Sequence, residues 1–278
     1  PTGIGAHENG NGLGADILSL AGRTLTRLLS RYGVLLGFLA LWQAAASGGW
    51  VNAAVLPPID MIVVALWKGL AGGSLLGDIA ISLQRAGLAF AAAATVAIPL
   101  GLVMGQTRSV ETALDPILQL FRQTSALALY PVFILLLGLG EASKVFVIFW
   151  ATLFPLLLNT ISGVKSVDPL LIKAARSMGT SDFDLFRKVI LPASMPSVVA
   201  GARLAVKSSL FAVIGAEMLA AKSGLGFLIQ NSQLMMETAD MYAGILTLTV
   251  IGLTVNYLLV WFERWATAWK GQSESSLI

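Results

Sequence analysis

The sequence contains no cysteine and a single histidine, His7. The first absence excludes disulfides and thiolate-based metal or redox chemistry. The second leaves no histidine cluster for a catalytic metal, and His7 itself lies in the polar, Gly-rich stretch Pro1 to Gly14, which reads as a disordered tail. No catalytic residue and no metal site is expected. Charge is scarce too: 12% of residues are Asp, Glu, Lys or Arg, against about 25% in a soluble domain. No Gly-x4-Gly-Lys-Ser/Thr phosphate loop occurs, so the chain has no ATP site of that kind. Paired intramembrane carboxylates, nucleophile triads and obvious internal repeats are also missing, which disfavours a membrane enzyme and an ion-coupled secondary transporter. Pro1 to Ser19 lacks the basic start, apolar run and small-residue site of a cleavable signal.

Apolar residues fill the gap that charge leaves. Of 278 residues 56% are hydrophobic, and the mean hydropathy is +0.80. They are gathered into blocks near bilayer length, about 20 residues for a helix. The pattern predicts an all-α polytopic membrane protein with six spans: Tyr32 to Ser47, Ile79 to Met104, Ile117 to Leu137, Lys144 to Gly163, Met195 to Ala220 and Tyr242 to Phe262. Between the first two, Leu56-Pro57-Pro58 opens a stretch in which Ile62, Ala65, Leu66 and Leu70 recur at helical spacing, as in a short interfacial helix. The expected organisation is a tail and helix start at 1–30, a single transmembrane domain at 31–265 and a tail at 266–278.

The net charge of +3 does not call for nucleic acid, because in a membrane protein the placement of Lys and Arg outweighs their sum. With the N-terminus in the cytoplasm, Arg23, Arg27, Arg31, Arg108, Lys165, Lys173, Arg176, Arg187, Lys188, Arg264 and Lys270 all fall inside. Only Lys68, Lys144 and Lys222 fall outside. The positive-inside rule therefore puts both termini in the cytoplasm, and Trp261, Trp265 and Trp269 suit an interfacial belt.

One cytoplasmic stretch, 165–194, is too apolar for a connector. Asp168 and Pro169 make a helix start, with Asp168 as N-cap and Pro169 at the first helical position. Gly179-Thr180-Ser181-Asp182 reads as a break, after which Ser181 or Asp182 caps a second short helix ended by Leu191-Pro192. Met178, Phe183 and Phe186 on such a hairpin call for cover. Spacing alone leaves two covers open: a partner protein, or the chain's own membrane helices.

The stretch Lys173-Ala174-Ala175-Arg176-Ser177-Met178-Gly179, continuing to Val189-Ile190-Leu191-Pro192, resembles the EAA loop of bacterial binding-protein-dependent permeases, E-A-A-x3-G-x9-I-x-L-P. Lys173 replaces the Glu and Val189 the Ile. The similarity runs from about Leu56 to Lys270 and is closest to the nitrate, sulfonate, taurine and bicarbonate group of ABC importers. It is carried also by Asp115-Pro116, Gly138 to Lys144, Ser166-Val167-Asp168-Pro169 and Ser223-Gly224-Leu225-Gly226. The resemblance implies a type I importer permease in the bacterial inner membrane. Its partners would be a second permease subunit (a copy or a related chain), two ATPases that carry ATP and Mg, and a periplasmic or lipid-anchored substrate-binding protein. Lys173, Ala174, Ala175, Arg176, Met178, Gly179, Phe183, Phe186, Leu191 and Pro192 would form the ATPase-coupling site.

Embedded polar residues supply the remaining candidates. Arg203 and Lys207 share a face of the fifth span, with Ser208 and Ser209 at similar depth. Arg203 matches a basic position of the family and reads as a structural partner for a carboxylate or carbonyl. Lys207 stands where the family commonly has a small residue, and a cation facing a pore attracts an anion. Arg122, Gln123, Thr124 and Ser125 interrupt the third span, as cavity-lining backbone does, or as a kink between packed helices does. Glu217 matches an acidic family position and reads as structural. Arg85 reads as a residue that snorkels to the outer surface.

Overall fold

The computed structural model describes residues 33–52 and 54–266, and every regular element in them is helical. They divide into two compact units, one up to Val63 and the other from Val64 onward. The tails expected at 1–30 and, apart from Ala266, at 266–278 lie outside the described residues, as do His7, Tyr32, Trp269 and the flanking basic residues Arg23, Arg27, Arg31 and Lys270.

In the first unit, helix α1 (Gly33–Ser47) is apolar and short, about 22 Å at 1.5 Å per residue. Its last turn ties down the Pro57-Pro58 corner: Trp42 Nε1 donates to the Pro57 carbonyl at 3.0 Å, and Gln43 Oε1 accepts from the Ile59 amide at 2.8 Å. Gln43 thereby satisfies one of the orphan amides at the start of α2 (Ile59–Ala71), the expected amphipathic helix.

The second unit continues with α3 (Ser74–Gln106), α4 (Arg108–Gln123), α5 (Tyr130–Leu137), α6 (Glu141–Lys165), α7 (Pro169–Ser177), α8 (Asp182–Leu185), α9 (Leu191–Ala220), α10 (Leu225–Leu234) and α11 (Thr238–Ala266). Four stretches are long and apolar enough to cross a membrane: α3, α6, α9 with its N-terminal extension, and α11. The third expected span is two helices instead of one. The polar tetrad Arg122 to Ser125 ends α4, and 124–129 form a turn before Tyr130-Pro131 restarts the chain as α5.

Small residues let α3, α6 and α9 close on one another. Ala89, Ala93, Ala97, Gly101 and Gly105 recur every fourth position on one face of α3. A Cβ on Gly101 would stand 2.7 Å from Thr160 Cβ, and one on Gly105 2.5 Å from Val164 Cβ, so α3 and α6 approach closer than any side chain there would allow. Such small-residue contacts drive helix association in lipid, where oil gains nothing by meeting oil. Layers of Met104, Leu156, Leu157 and Ile161, then of Tyr130, Phe133, Val147 and Val213, fill the remaining space.

A buried ionic cluster locks one end of this trio. Glu217, 1% exposed near the end of α9, accepts from Arg85 Nη1 of α3 at 2.7 Å, from Ser82 Oγ at 2.8 Å and from the Gly226 amide at 2.9 Å. Arg85 also grips Glu141 of α6 with Nε and Nη2, at 2.7 and 2.8 Å, and donates to the Ser223 carbonyl at 2.8 Å. Glu141 in turn accepts from Lys144 at 2.8 Å. Asp78 Oδ1 and Ser82 Oγ take the Gly224 and Leu225 amides, so the α9–α10 turn is stitched to α3. Gly224 makes that turn at φ 110°, where a side chain would be strained and would collide with the Glu217 carboxylate.

Arg85 is 4% exposed and fully engaged, which corrects the expectation that it snorkels. A guanidinium with two carboxylates in reach has no reason to travel to water. Glu217, read from the sequence as structural, sits at the centre of this cluster.

Two outcomes follow for stability in detergent, read as thermal unfolding of the purified chain. Glu217→Ala, which leaves Arg85 half-paired in a buried site, is expected to cost about 3–5 kcal/mol, and Glu217→Gln less; equal melting of variant and parent would contradict the cluster. Gly101→Leu is expected to cost about 1–3 kcal/mol by forcing α3 off α6, with Gly87→Leu, which meets open space, as the unaffected comparison.

Candidate functional site: a helical hairpin outside the bundle

The hairpin at 165–194 is built by the residues that the sequence assigned to it. Asp168 caps α7, its Oδ1 accepting from the Leu170 amide at 2.8 Å, and Pro169 takes the first turn. Gly179 turns the chain at φ 76°, the left-handed region that glycine enters without strain, and a Cβ there would meet only open space. Ser181 caps α8, its Oγ accepting from the Asp184 amide at 3.2 Å. Arg176 reaches Asp182 across the turn at 3.5 Å, an exposed pair that adds little.

The expected stop at Leu191-Pro192 is not there. The chain runs from α8 through a π turn, Phe186–Ile190, straight into α9, with the Leu191 amide donating to the Phe186 carbonyl. Proline has no amide to give and its ring crowds the carbonyl four residues back. It is tolerated here because it falls in the first turn of α9, just after a wide turn has already shifted the register. The hairpin's second arm and the membrane helix are therefore one continuous helical rod.

The apolar residues of the hairpin divide by side. Ala175, Leu185 and Ile190 are buried with Val164 and Val167, and Phe186 packs half-buried against them. They root the hairpin on the end of α6. Met178 and Phe183 point the other way, 79% and 69% exposed, beside exposed Lys173, Ala174, Arg176 and Gly179. Of the sequence's two covers, the chain's own helices take Phe186 and Ala175, while Met178 and Phe183 lie uncovered. Leu191 is half-buried and Pro192 exposed, both beyond the turn. Nearby, Lys165 pairs with Glu111, which joins the end of α6 to the start of α4.

The pathway candidates do not form one constellation. Arg122, Gln123, Thr124 and Ser125 are exposed at the end of α4; Arg122 Nη2 donates to Gln119 Oε1 at 3.2 Å and Thr124 Oγ1 to the Leu120 carbonyl at 3.1 Å. Phe121 stacks edge-on against Trp150 of α6, centroids 5.1 Å apart, and so anchors that end. On α9, Arg203 Nη1 meets Glu263 Oε2 of α11 at 2.6 Å, the carboxylate partner that its position suggested. Ser209 is buried and donates to the Val206 carbonyl at 2.8 Å, so it turns into the bundle, while Ser208 is half-buried. Lys207 lines a groove between α9 and α11 together with Thr249 and Asn256, two residues that sequence reasoning passed over. Asn256 was visible as an amide inside the apolar run Tyr242 to Phe262. Its partner across the groove was not, because helix neighbours are unknown before the fold.

Comparison with known proteins agrees with this architecture. Residues 97–268 match the family model of the binding-protein-dependent transport system inner membrane component. A Brucella abortus protein named as a probable ABC transporter permease is 38% identical over 84% of this chain and 96% of its own length. A Bacillus subtilis permease named for aliphatic sulfonates transport, SsuC, is 33% identical over 88% of this chain and 91% of its own. The taurine transport system permease protein TauC of Escherichia coli is 32% identical over 86% and 89%. Among solved structures, a chain of the MetNI methionine ABC transporter in an inward-facing conformation superposes with a TM-score of 0.64 over 70% of this chain and 96% of that one, at 16% identity, a likeness of fold. A membrane-embedded bundle with an exposed helical hairpin, matched by family and by relatives along most of its length, is thus a binding-protein-dependent transport system inner membrane component, a permease of the ABC importers.

Proposed function

We propose that this chain forms the translocation pathway of an ATP-driven importer for a small anionic solute, an aliphatic sulfonate or taurine first, nitrate or bicarbonate next. The observation that carries the ATP-driven part is the exposure of Met178 and Phe183 at the turn of a hairpin whose root, Ala175, Leu185 and Ile190, is buried. An apolar surface outside the bilayer is an interface, and a chain without a phosphate loop needs an ATPase as the partner there. The names of the sulfonate and taurine relatives support the cargo.

The hairpin's own part is mechanical. Phe183 and Met178 dock in the ATPase, with Gly179 allowing its surface to come close. Phe186 and Ala175 hold the hairpin to α6, and the unbroken rod into α9 passes its displacement to the membrane helices. ATP with Mg sits on the ATPase, and its differential binding to two arrangements drives the switch between inward and outward access. A second permease subunit completes the pathway, and a binding protein delivers solute from the periplasm to a chain placed in the inner membrane with both termini cytoplasmic.

Uptake in proteoliposomes tests this reading: accumulation of taurine should require the ATPase, ATP and the binding protein, and robust transport by this chain alone would overturn it. Phe183→Ala, at an exposed site that the fold does not need, is expected to weaken copurification with the ATPase about tenfold or more. Gly179→Val should abolish solute-stimulated ATP hydrolysis, while Gly179→Asn, which tolerates the left-handed turn, should keep a measurable part of it. Full stimulation in the valine variant would remove Gly179 from the interface.

A further inference from the structure

The embedded cations of this chain are not alike. Arg85 holds Glu217 and Glu141, Lys144 holds Glu141, and Arg203 holds Glu263, each within 2.8 Å. Lys207, near the middle of α9, meets no carboxylate and no hydrogen-bond acceptor among the described residues. A lone ammonium at membrane depth is expensive and is retained where it faces water or an anion. Arg203, one turn away on the same face, does not compete for that anion because Glu263 already neutralises it.

Lys207 does not stand in lipid alone. It borders a groove of about 490 Å³ between α9 and α11, within the size range of a small-molecule site. Phe211 and Ile214 of α9 and Leu253 of α11 make an apolar wall, while Thr249 and Asn256 of α11 add a hydroxyl and an amide. Thr249 Oγ1 spends its hydrogen on the Ile245 carbonyl at 2.9 Å and so offers only lone pairs, which leaves the Asn256 amide as the second donor beside the ammonium. A lysine, one neutral donor and an apolar wall, with no acid among the lining residues, suit an anion that carries a short hydrocarbon tail.

We propose that the α9–α11 groove binds a small organic anion with a short alkyl chain, its charged head on Lys207 Nζ and Asn256 and its tail against Phe211 and Ile214. This rests on the anion-importer reading above and deepens it, by placing cargo contact on a lysine that no carboxylate among the described residues neutralises.

The test uses the complete transporter with its ATPase and binding protein in proteoliposomes, with radiolabelled methanesulfonate, ethanesulfonate and butanesulfonate as probes. Lys207→Ala is expected to reduce sulfonate uptake at least about tenfold, and Lys207→Arg to keep most of it. Phe211→Ala should lower butanesulfonate uptake more than methanesulfonate uptake, because only the longer probe reaches the wall. Lys222→Ala, at an exposed lysine beyond the end of α9, should leave all three unchanged. Uptake by Lys207→Ala equal to that of the parent overturns the site. So does dissociation of the permease pair in that variant, which would assign Lys207 to a subunit contact, or its loss of a copurifying anionic lipid with uptake intact. An unmutated complex that moves none of the sulfonates sinks the sulfonate cargo, and this site with it; nitrate uptake by that complex would leave the anion-importer reading standing.

Discussion

A carboxylate without access to water must be answered from every side, and Glu217 is answered by α3, by the α9–α10 turn and, through Arg85, by α6. No smaller set of partners would serve. A lone Glu217–Arg85 pair in hydrocarbon would gain Coulomb energy and still leave lone pairs and guanidinium protons empty, a poor exchange for the hydration surrendered. Ser82, the Gly226 amide and Glu141 fill those places, so the cluster makes up its desolvation only when four segments stand together. The order of the elements at that end of the bundle follows from this requirement.

Along the rest of the bundle the constraint is steric. The alanine and glycine face of α3 brings α6 within backbone reach, and α6 and α9 close at Gly163 and Gly201 in the same way. Helices packed this closely slide or tilt as bodies more readily than they bend. At the opposite end from the cluster, the hairpin is rooted by Ala175, Leu185, Ile190 and Phe186 on the end of α6. One rod, running from Asp182 to Ala220, therefore carries the exposed Phe183 at one end, Lys207 near its middle and Glu217 near the other end. A displacement imposed on Phe183 has a rigid route to both.

Much of this was legible in the sequence because its signals are local. Asp168 and Ser181 cap helices as their side chains dictate, Gly179 turns where only glycine turns freely, and apolar blocks become long helices. The misreadings share a cause. Leu191-Pro192 looks like a terminus by local rules, yet the π turn before it lets the helix continue, and nothing in Phe186 to Ile190 announces that shift. Arg85 read as a residue that snorkels to the outer surface because its partners are 56 and 132 residues away in the chain. The structure pairs Arg85 with Glu141 and Glu217 and Arg203 with Glu263, and it is this pairing, which no local rule supplies, that sets Lys207 apart from them. The break after α4 was visible as polarity; that α5 restarts at Tyr130-Pro131 depended on Tyr130 and Phe133 finding a core.

The π turn at Phe186–Ile190 amounts to a single surplus residue in an otherwise regular rod. Each residue of an α-helix advances the azimuth by about 100°, so that one residue fixes the heading at which Met178 and Phe183 leave the bundle. The compass bearing of that exposed pair is thus written in chain length as well as in side-chain chemistry. A shortening by one position would swing the hairpin through roughly a quarter of a circle and take Leu185 and Ala175 off the end of α6, so the length of this turn and the packing of the hairpin's root are bound together.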